Sequence, residues 1–120
     1  MKIRIQSLLC LVLVFLTVSC FQESKDLKAA NEFLQTKNYA EAIALLDKYS
    51  SNKAQELNSK AHLDYAVSIL ANIDEKKQLR YLNAKQNLRK SLDLNPENRE
   101  AKVFYKMLSK TIEREFPSGL

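Results

Sequence analysis

The sequence is almost without glycine and proline. Among its 120 residues there are one glycine, Gly119, and two prolines, Pro96 and Pro117. Tight β-turns need residues that tolerate positive φ, and a phosphate-binding loop needs several glycines. The composition therefore excludes a turn-rich all-β domain and a glycine-rich nucleotide site, and it favours α-helices.

Histidine and cysteine are also scarce. His62 is the only histidine, and Cys10 and Cys20 are the only cysteines. No second histidine or cysteine lies near His62 in the sequence, so neither a metal site nor a Cys–His nucleophile pair can be built around it. We therefore expect a protein that is not an enzyme and has no metal site, with His62 at the surface or at the edge of a groove.

One long apolar run lies at the N-terminus. Lys2 and Arg4 precede an apolar run at residues 8–16, and a small residue and Cys20 follow it. This order is typical of a secretory signal peptide, whose removal would lower the formal net charge from +5 to about +3. The alternative is a retained membrane anchor, which is disfavoured because even residues 3–18 give a run of only 16 residues, whereas a spanning helix needs ~20.

The end of this segment resembles the lipobox of bacterial lipoproteins. Ser19 directly precedes Cys20 and apolar residues lie upstream, although Thr17 stands where leucine is commonest. The resemblance implies cleavage before Cys20, a diacylglyceryl group on its sulfur and further acylation, for instance with palmitate, as the only covalent group and no other cofactor. By the same analogy, Phe21 after the cysteine favours the outer membrane, with the protein facing the periplasm.

Two alternatives remain for Cys20. It could be a free cysteine of an ordinary secreted protein, or a disulfide partner, which is less favoured because Cys10 would leave with the signal peptide. The expected organisation is a signal peptide at residues 1–19, a lipidated tether at 20–25, a helical domain at 26–116 and a tail at 117–120.

Apolar residues at i, i+3 and i+4 spacing predict five helices after the tether. The predicted helices are residues 26–36, 39–49, 53–73, 76–94 and 97–115. The break between the first two is expected at Lys37 and Asn38. For the last helix, Asn95 is the expected cap, and Pro96 suits a first turn.

Two of these helices align without gaps at a spacing of 42 residues. The matched pairs are Tyr39 with Tyr81, Ala42 with Ala84, Leu46 with Leu88, and Lys48 with Lys90. A small residue flanked by large ones at −3 and +4 suits close helix–helix packing. A chance match between two amphipathic helices is the alternative.

The surroundings of these pairs resemble the tetratricopeptide repeat, a 34-residue helix–turn–helix unit. The A-x3-F part of its pattern matches Ala42-x3-Leu46 and Ala84-x3-Leu88, and Leu94-Asn95-Pro96-Glu97-Asn98 resembles its closing phrase. The L-G-x2-Y part corresponds to Ala29-Ala30-x2-Phe33 and, more loosely, to Tyr65-Ala66-x2-Ile69, while Asp26 and Ala54 depart from the pattern. The resemblance implies an all-α, helix–turn–helix solenoid of about two repeats plus a C-terminal capping helix.

Two repeats and a cap are marginal for a stable fold, because such repeats bury their apolar faces only against neighbouring repeats and about three are usually needed. Either the long third and fourth helices supply the missing contact area, which we favour, or a partner completes the core.

Two sets of residues are candidates for partner binding. Six bases and no acid occupy residues 76–90, and their pattern indicates either a solvated helix surface or a surface for an acidic partner or anionic lipid; its candidates are Lys85, Arg89 and Lys90. In the repeat family the first helix of each pair lines the concave groove, which makes Asn31, Gln35, His62 and Tyr65 candidates.

Among lipidated repeat proteins, the chain resembles a shortened BamD-like subunit of the outer-membrane β-barrel assembly machinery. This implies scaffolding of protein partners, with the membrane bound through the lipid and with no nucleic acid and no small-molecule substrate. A pilotin-like lipoprotein that escorts a secretin or pilus subunit, or a general periplasmic adaptor, are the alternatives.

Overall fold

The computed structural model describes residues 2–120, with side chains from residue 6 onwards, and α-helix is the only regular secondary structure in this part of the chain. The helices are α1 (Lys2–Gln35), α2 (Tyr39–Leu46), α3 (Asn52–Ala71), α4 (Lys77–Leu94) and α5 (Arg99–Glu115). The all-α prediction is confirmed. The basic side chains of Lys2 and Arg4, which the signal-peptide prediction uses, lie outside the described side chains.

The first helix begins much earlier than predicted. A start at residue 26 and a separate tether at residues 20–25 were expected, but α1 runs without a break through both. The segment contains no glycine or proline, and Gln22 Nε2 donates to Asp26 Oδ1 across one turn at 3.0 Å. Because nothing in these residues breaks a helix, the change from apolar to polar composition near Cys20 alters the surface of α1 and not its backbone.

The turn between α1 and α2 lies where it was predicted. Lys37 adopts a φ of 63°, its N–H donates to the Leu34 carbonyl at 3.2 Å, and the Asn38 N–H donates to the Phe33 carbonyl at 2.8 Å. These two hydrogen bonds, with a left-handed residue directly after the helix, form the Schellman motif, in which that residue is usually glycine. In a chain that lacks glycine here, a lysine adopts this conformation. The next helix, α2, ends at Leu46, three residues before the predicted end.

The cap of the last helix differs from the prediction. Asn98, and not Asn95, caps α5, because its side chain accepts from the Ala101 N–H at 3.1 Å. Asn95 instead ends α4, and its side chain accepts from the Glu97 N–H at 3.1 Å. Pro96 therefore lies in the connection between the helices.

The helices pack in chain order, each against the next, and α1 also contacts α3. Two apolar clusters form the core. The first is built mainly by α3, α4 and α5, and the second by α1, α2 and the first half of α3. The long α3 and α4 form the most extensive helix pair, which agrees with the expectation that they supply contact area.

The residues matched at a spacing of 42 are buried alike. Ala42 and Ala84 are both 0% exposed, and Leu46 and Leu88 are both 1% exposed. Each alanine lies in the buried part of one of the two clusters, where a larger side chain would separate the helices. The close packing that the pattern predicts is present at both places.

A buried polar cluster joins α3, α4 and the start of α5. The Ser59 hydroxyl donates to the Ser91 carbonyl at 2.7 Å, and the Ser91 hydroxyl donates to the Ser59 carbonyl at 2.6 Å. Asn98 Nδ2 also donates to Ser59 Oγ at 3.0 Å. Because both serines are 0% exposed, this exchange satisfies buried polar groups and allows the two helices to lie close together.

Candidate membrane anchor and binding surfaces

The N-terminal half of α1 extends outside the helical stack. Every side chain from residue 6 to residue 22 is exposed, and the aliphatic residues between Leu8 and Val18 are 53–66% exposed. Among the described residues, α1 is the one helix that is long and apolar enough to cross a membrane. A signal sequence can have the same length and composition. The short apolar run argues against a retained membrane anchor. This argument is weaker in the structure, because the helix continues beyond the end of the apolar run.

Packing of α1 against the domain begins just after Cys20. Glu23 is the first side chain of α1 that is half-buried, and it accepts a hydrogen bond from the Ser51 hydroxyl. Three residues later, Asp26 Oδ2 accepts from the Tyr49 hydroxyl at 2.5 Å. This bond, with partial burial and the nearby charges of Asp26 and Glu23, raises the pKa of Tyr49 to about 12. Two contacts thus fix α1 to the segment between α2 and α3.

Cys20 itself is exposed and lies at the border between these two halves. It lines a groove of about 390 Å³ together with Ser24, Leu27 and the residues around the start of α3. The lipid-bearing position that the sequence predicts is therefore adjacent to the folded domain, with no non-helical linker between them.

His62 is more buried than predicted. It is 5% exposed, and its Nδ1 lies 2.9 Å from Asn87 Oδ1, so of the two predicted places, the surface and the edge of a groove, the surface is wrong. Burial lowers the pKa of His62, with the hydrogen bond to Asn87 opposing that change. His62 does line a groove of about 270 Å³, together with Lys90 and Asp93.

The other predicted groove residues are divided between two environments. Asn31 and Gln35 are exposed, and their spacing of four residues places them on one face of α1. Tyr65 is half-buried and stacks on Tyr39, with 5.8 Å between the ring centroids. Tyr65 therefore helps to hold α2 against α3, and a binding role for these three residues stays a prediction.

The three basic candidates on α4 do not form one patch. The Lys85 ammonium lies 5.7 Å from the centre of the Tyr105 ring, and Arg89 Nη2 donates to the Tyr105 hydroxyl at 3.4 Å. Lys90 is exposed and lines the groove beside His62. Two of the bases thus face α5, and the third lies toward α2 and α3.

A further apolar surface on α5 was not among the predicted sites. Val103, Phe104 and Met107 are 56%, 37% and 59% exposed, although they are among the apolar residues whose spacing predicts the last helix. Ala101, Leu108 and Ile112 already fill the side of α5 that faces the core. The sequence does indicate such a surface, because α5 has more apolar residues than one buried face can hold.

This surface opens into a groove of about 320 Å³, called here the α5 groove. Its lining residues are Leu70, Arg80, Tyr81, Phe104, Met107, Leu108 and Thr111. The groove lies between the end of α3, the start of α4 and the second half of α5.

Among the described residues, no group of three or more His, Cys, Asp or Glu side chains could hold a metal ion. The expectations of no metal and no enzymatic activity stay predictions. In comparisons with known proteins, the chain matches no protein-family description, no curated protein and no solved structure.

Proposed function

We propose that this protein is an exported lipoprotein that holds a small helical scaffold at a membrane, where the scaffold binds other proteins and does not catalyse a reaction. The observation that carries this proposal is the division of α1. Residues 6–22 expose their side chains, whereas the contacts that fix α1 to the domain begin at Glu23. Cleavage before Cys20 would therefore leave those contacts intact.

The proposed lipid anchor is supported by this division together with the lipobox-like sequence. Removal of residues 1–19 would leave α1 with 16 residues, from Cys20 to Gln35, and would retain its apolar contacts through Leu27, Ala30 and Leu34. Each buried acyl CH₂ contributes ~0.8 kcal/mol to membrane affinity, so two or three chains hold a protein durably. A lipid on Cys20 would thus replace the apolar helix as the anchor.

Protein binding is supported by the surface of the scaffold. It carries the exposed apolar residues of α5 and the basic residues of α4, two features that are common at interaction sites. We propose that the partner belongs to outer-membrane β-barrel assembly, as the BamD-like resemblance implies. A pilotin-like role with a secretin or pilus subunit, and a general periplasmic adaptor, are the alternatives.

Chemical cross-linking in intact cells, followed by identification of the linked protein, tests this function. We expect a specific protein adduct at the membrane, and depletion of the protein should lower the amounts of folded outer-membrane barrel proteins. Normal barrel levels after depletion would exclude the assembly role. A secretin or pilus subunit in the adduct would favour piloting, and the absence of any protein adduct would contradict the scaffold function.

The basic residues of α4 allow a charge-reversal test. Replacing Lys85, Arg89 and Lys90 together by Glu should abolish recovery of an acidic partner in a pull-down from membranes. A matched control replaces Lys28, Lys60 and Lys106, which lie on other helices and are exposed, by Glu. Equal loss in both variants would show a non-specific effect of net charge, and unchanged recovery in the α4 variant would exclude this surface.

A further inference from the structure

The α5 groove has an apolar floor and wall that the chain leaves uncovered. Met107 is 59% exposed and Phe104 is 37% exposed, and both line the groove beside the buried Leu108. Val103 lies one turn before Met107 and is 56% exposed. Three apolar side chains on adjacent turns of one helix form a surface that a partner side chain could bury.

The groove also contains an arginine whose hydrogen bonding is incomplete. Arg80 Nη1 donates to the Leu70 carbonyl at 3.0 Å, but the buried Arg80 Nε has no acceptor among the described residues. Arg80 is half-buried and lines the groove, so the part of its guanidinium that stays exposed is available to an anion there. A carboxylate is the acceptor that matches a guanidinium best, because it can take two parallel hydrogen bonds.

The charges around the groove have a direction. Arg114 is exposed and follows Met107 by seven residues, which extends the same face of α5 toward its C-terminus. Glu115 at this end is already paired with Lys77 at 2.6 Å. At the other end, Glu100 precedes Met107 by seven residues, so it lies on the same face of α5, and it is exposed. One end is therefore cationic and the other anionic.

We infer that the α5 groove binds a short apolar segment of a protein partner that carries carboxylates at one end. The apolar side chains pack on Phe104 and Met107, and the carboxylates lie toward Arg80 and Arg114. The negative charge of Glu100 at the other end of this face disfavours the reversed orientation. This inference deepens the proposed scaffold function and rests on it, because it assigns the chemistry of the partner to one surface.

The test uses the full chain in lipid nanodiscs and a phage-displayed library of random 12-residue peptides as the probe. Selection should enrich peptides that combine Leu, Ile or Phe with Asp or Glu. A selected peptide should lose affinity when its acidic residues are replaced by Asn or Gln. Enrichment of neutral or basic peptides, or no enrichment at all, would overturn the inference.

Two matched pairs of variants place the binding site. Met107→Glu should weaken binding of the selected peptide by at least about tenfold, because it places a negative charge in the apolar surface that the acidic peptide contacts. Leu79→Glu changes a 45% exposed apolar position on α4 outside the groove and should change binding by less than about twofold. Binding that is equally strong in Met107→Glu and Leu79→Glu would show that the peptide binds elsewhere.

The second pair tests the charge. Arg114→Glu should weaken binding by about fivefold, whereas Lys106→Glu, an equal charge change on another face of α5, should have a smaller effect. If both variants weaken binding equally, the charge acts only through long-range attraction, and the assigned orientation of the peptide is contradicted. If the peptide tests fail while the cellular cross-linking above still gives a protein adduct, the scaffold function stands and this groove is not its binding site.

Discussion

The buried position of His62 makes the stability of the domain depend on pH near neutrality. Burial lowers the pKa of His62 below its ordinary value of 6.5, and the nearby Lys90 lowers it further, while Asn87 and Asp47 oppose this change. The unfolded chain therefore takes up a proton at a higher pH than the folded chain does. Stability should fall as pH decreases through about 6.5, until the folded-state pKa is passed.

Chemical unfolding of the full chain in detergent micelles at about pH 7.5 and about pH 5.5 measures this effect. We expect a lower free energy of unfolding at the lower pH and a smaller difference in the variant His62→Gln, which cannot titrate. The comparison separates the effect of His62 from that of Asp64, whose raised pKa makes the folded state more stable, and not less stable, as the pH falls. An equal pH dependence in both proteins would contradict the assignment.

Asn98 has two roles that Asn95 does not share. It caps α5 through the Ala101 N–H and also donates to Ser59 Oγ in the buried polar cluster. Asn98→Ala should lower the free energy of unfolding by about 1–3 kcal/mol, because a cap contributes about 1 kcal/mol and a buried hydroxyl loses a partner. Asn95→Ala is the matched control with a smaller expected loss, and a reversed order of the two losses would contradict the observed cap.

At the scale of elements, the small residues at helix contacts determine how closely α1–α5 pack. Ala42 is 0% exposed, so Ala42→Leu should force α2 away from its neighbours and cost about 1–3 kcal/mol of stability. Ala44→Leu adds the same side chain at an exposed position of α2 and should change stability by less than about 0.5 kcal/mol. Thermal or chemical unfolding of both variants distinguishes these outcomes, and similar losses would show that Ala42 is not at a close contact.

The sequence predicts the helices and their contacts better than their ends. The small-and-large pattern around Ala42 and Ala84 identifies core positions because burial selects residue size directly. The cap at Asn98 was missed because Asn95, next to a proline, has an equally good cap sequence, and only the tertiary contact with Ser59 distinguishes them. The Ser59–Ser91 pair was missed because two serines in separate helices give no signal of their reciprocal hydrogen bonds.

The candidate surfaces show the same limit. Lys85, Arg89 and Lys90 are close in sequence but are divided between two sides of α4 by the positions of Tyr105 and His62. The α5 groove depends on how the end of α3 and the start of α4 meet α5, which helical periodicity does not specify. Its apolar residues were predictable, and their excess over one buried face indicated that some of them are exposed, but the sequence did not indicate which ones.

At the scale of the whole molecule, one continuous helix serves two parts of the protein. Residues 6–22 of α1 make an exposed, largely apolar rod, and the residues from Glu23 onwards form part of the domain. The long dimension of the molecule, 72 Å, reflects this extension. Because Cys20 lies at the border, cleavage there would shorten the helix without removing its packed face, and the lipid would lie directly against the domain.

This division at Cys20 is the central claim, since the exported location and the periplasmic partners depend on it. The most direct test is the intact mass of the protein extracted from membranes of cells that express the full chain. The account predicts a chain that begins at Cys20 and carries a diacylglyceryl group, and it predicts that Cys20→Ala is neither cut at this site nor lipidated. A mass equal to that of all 120 residues without lipid would contradict the account and would identify α1 as a retained membrane helix.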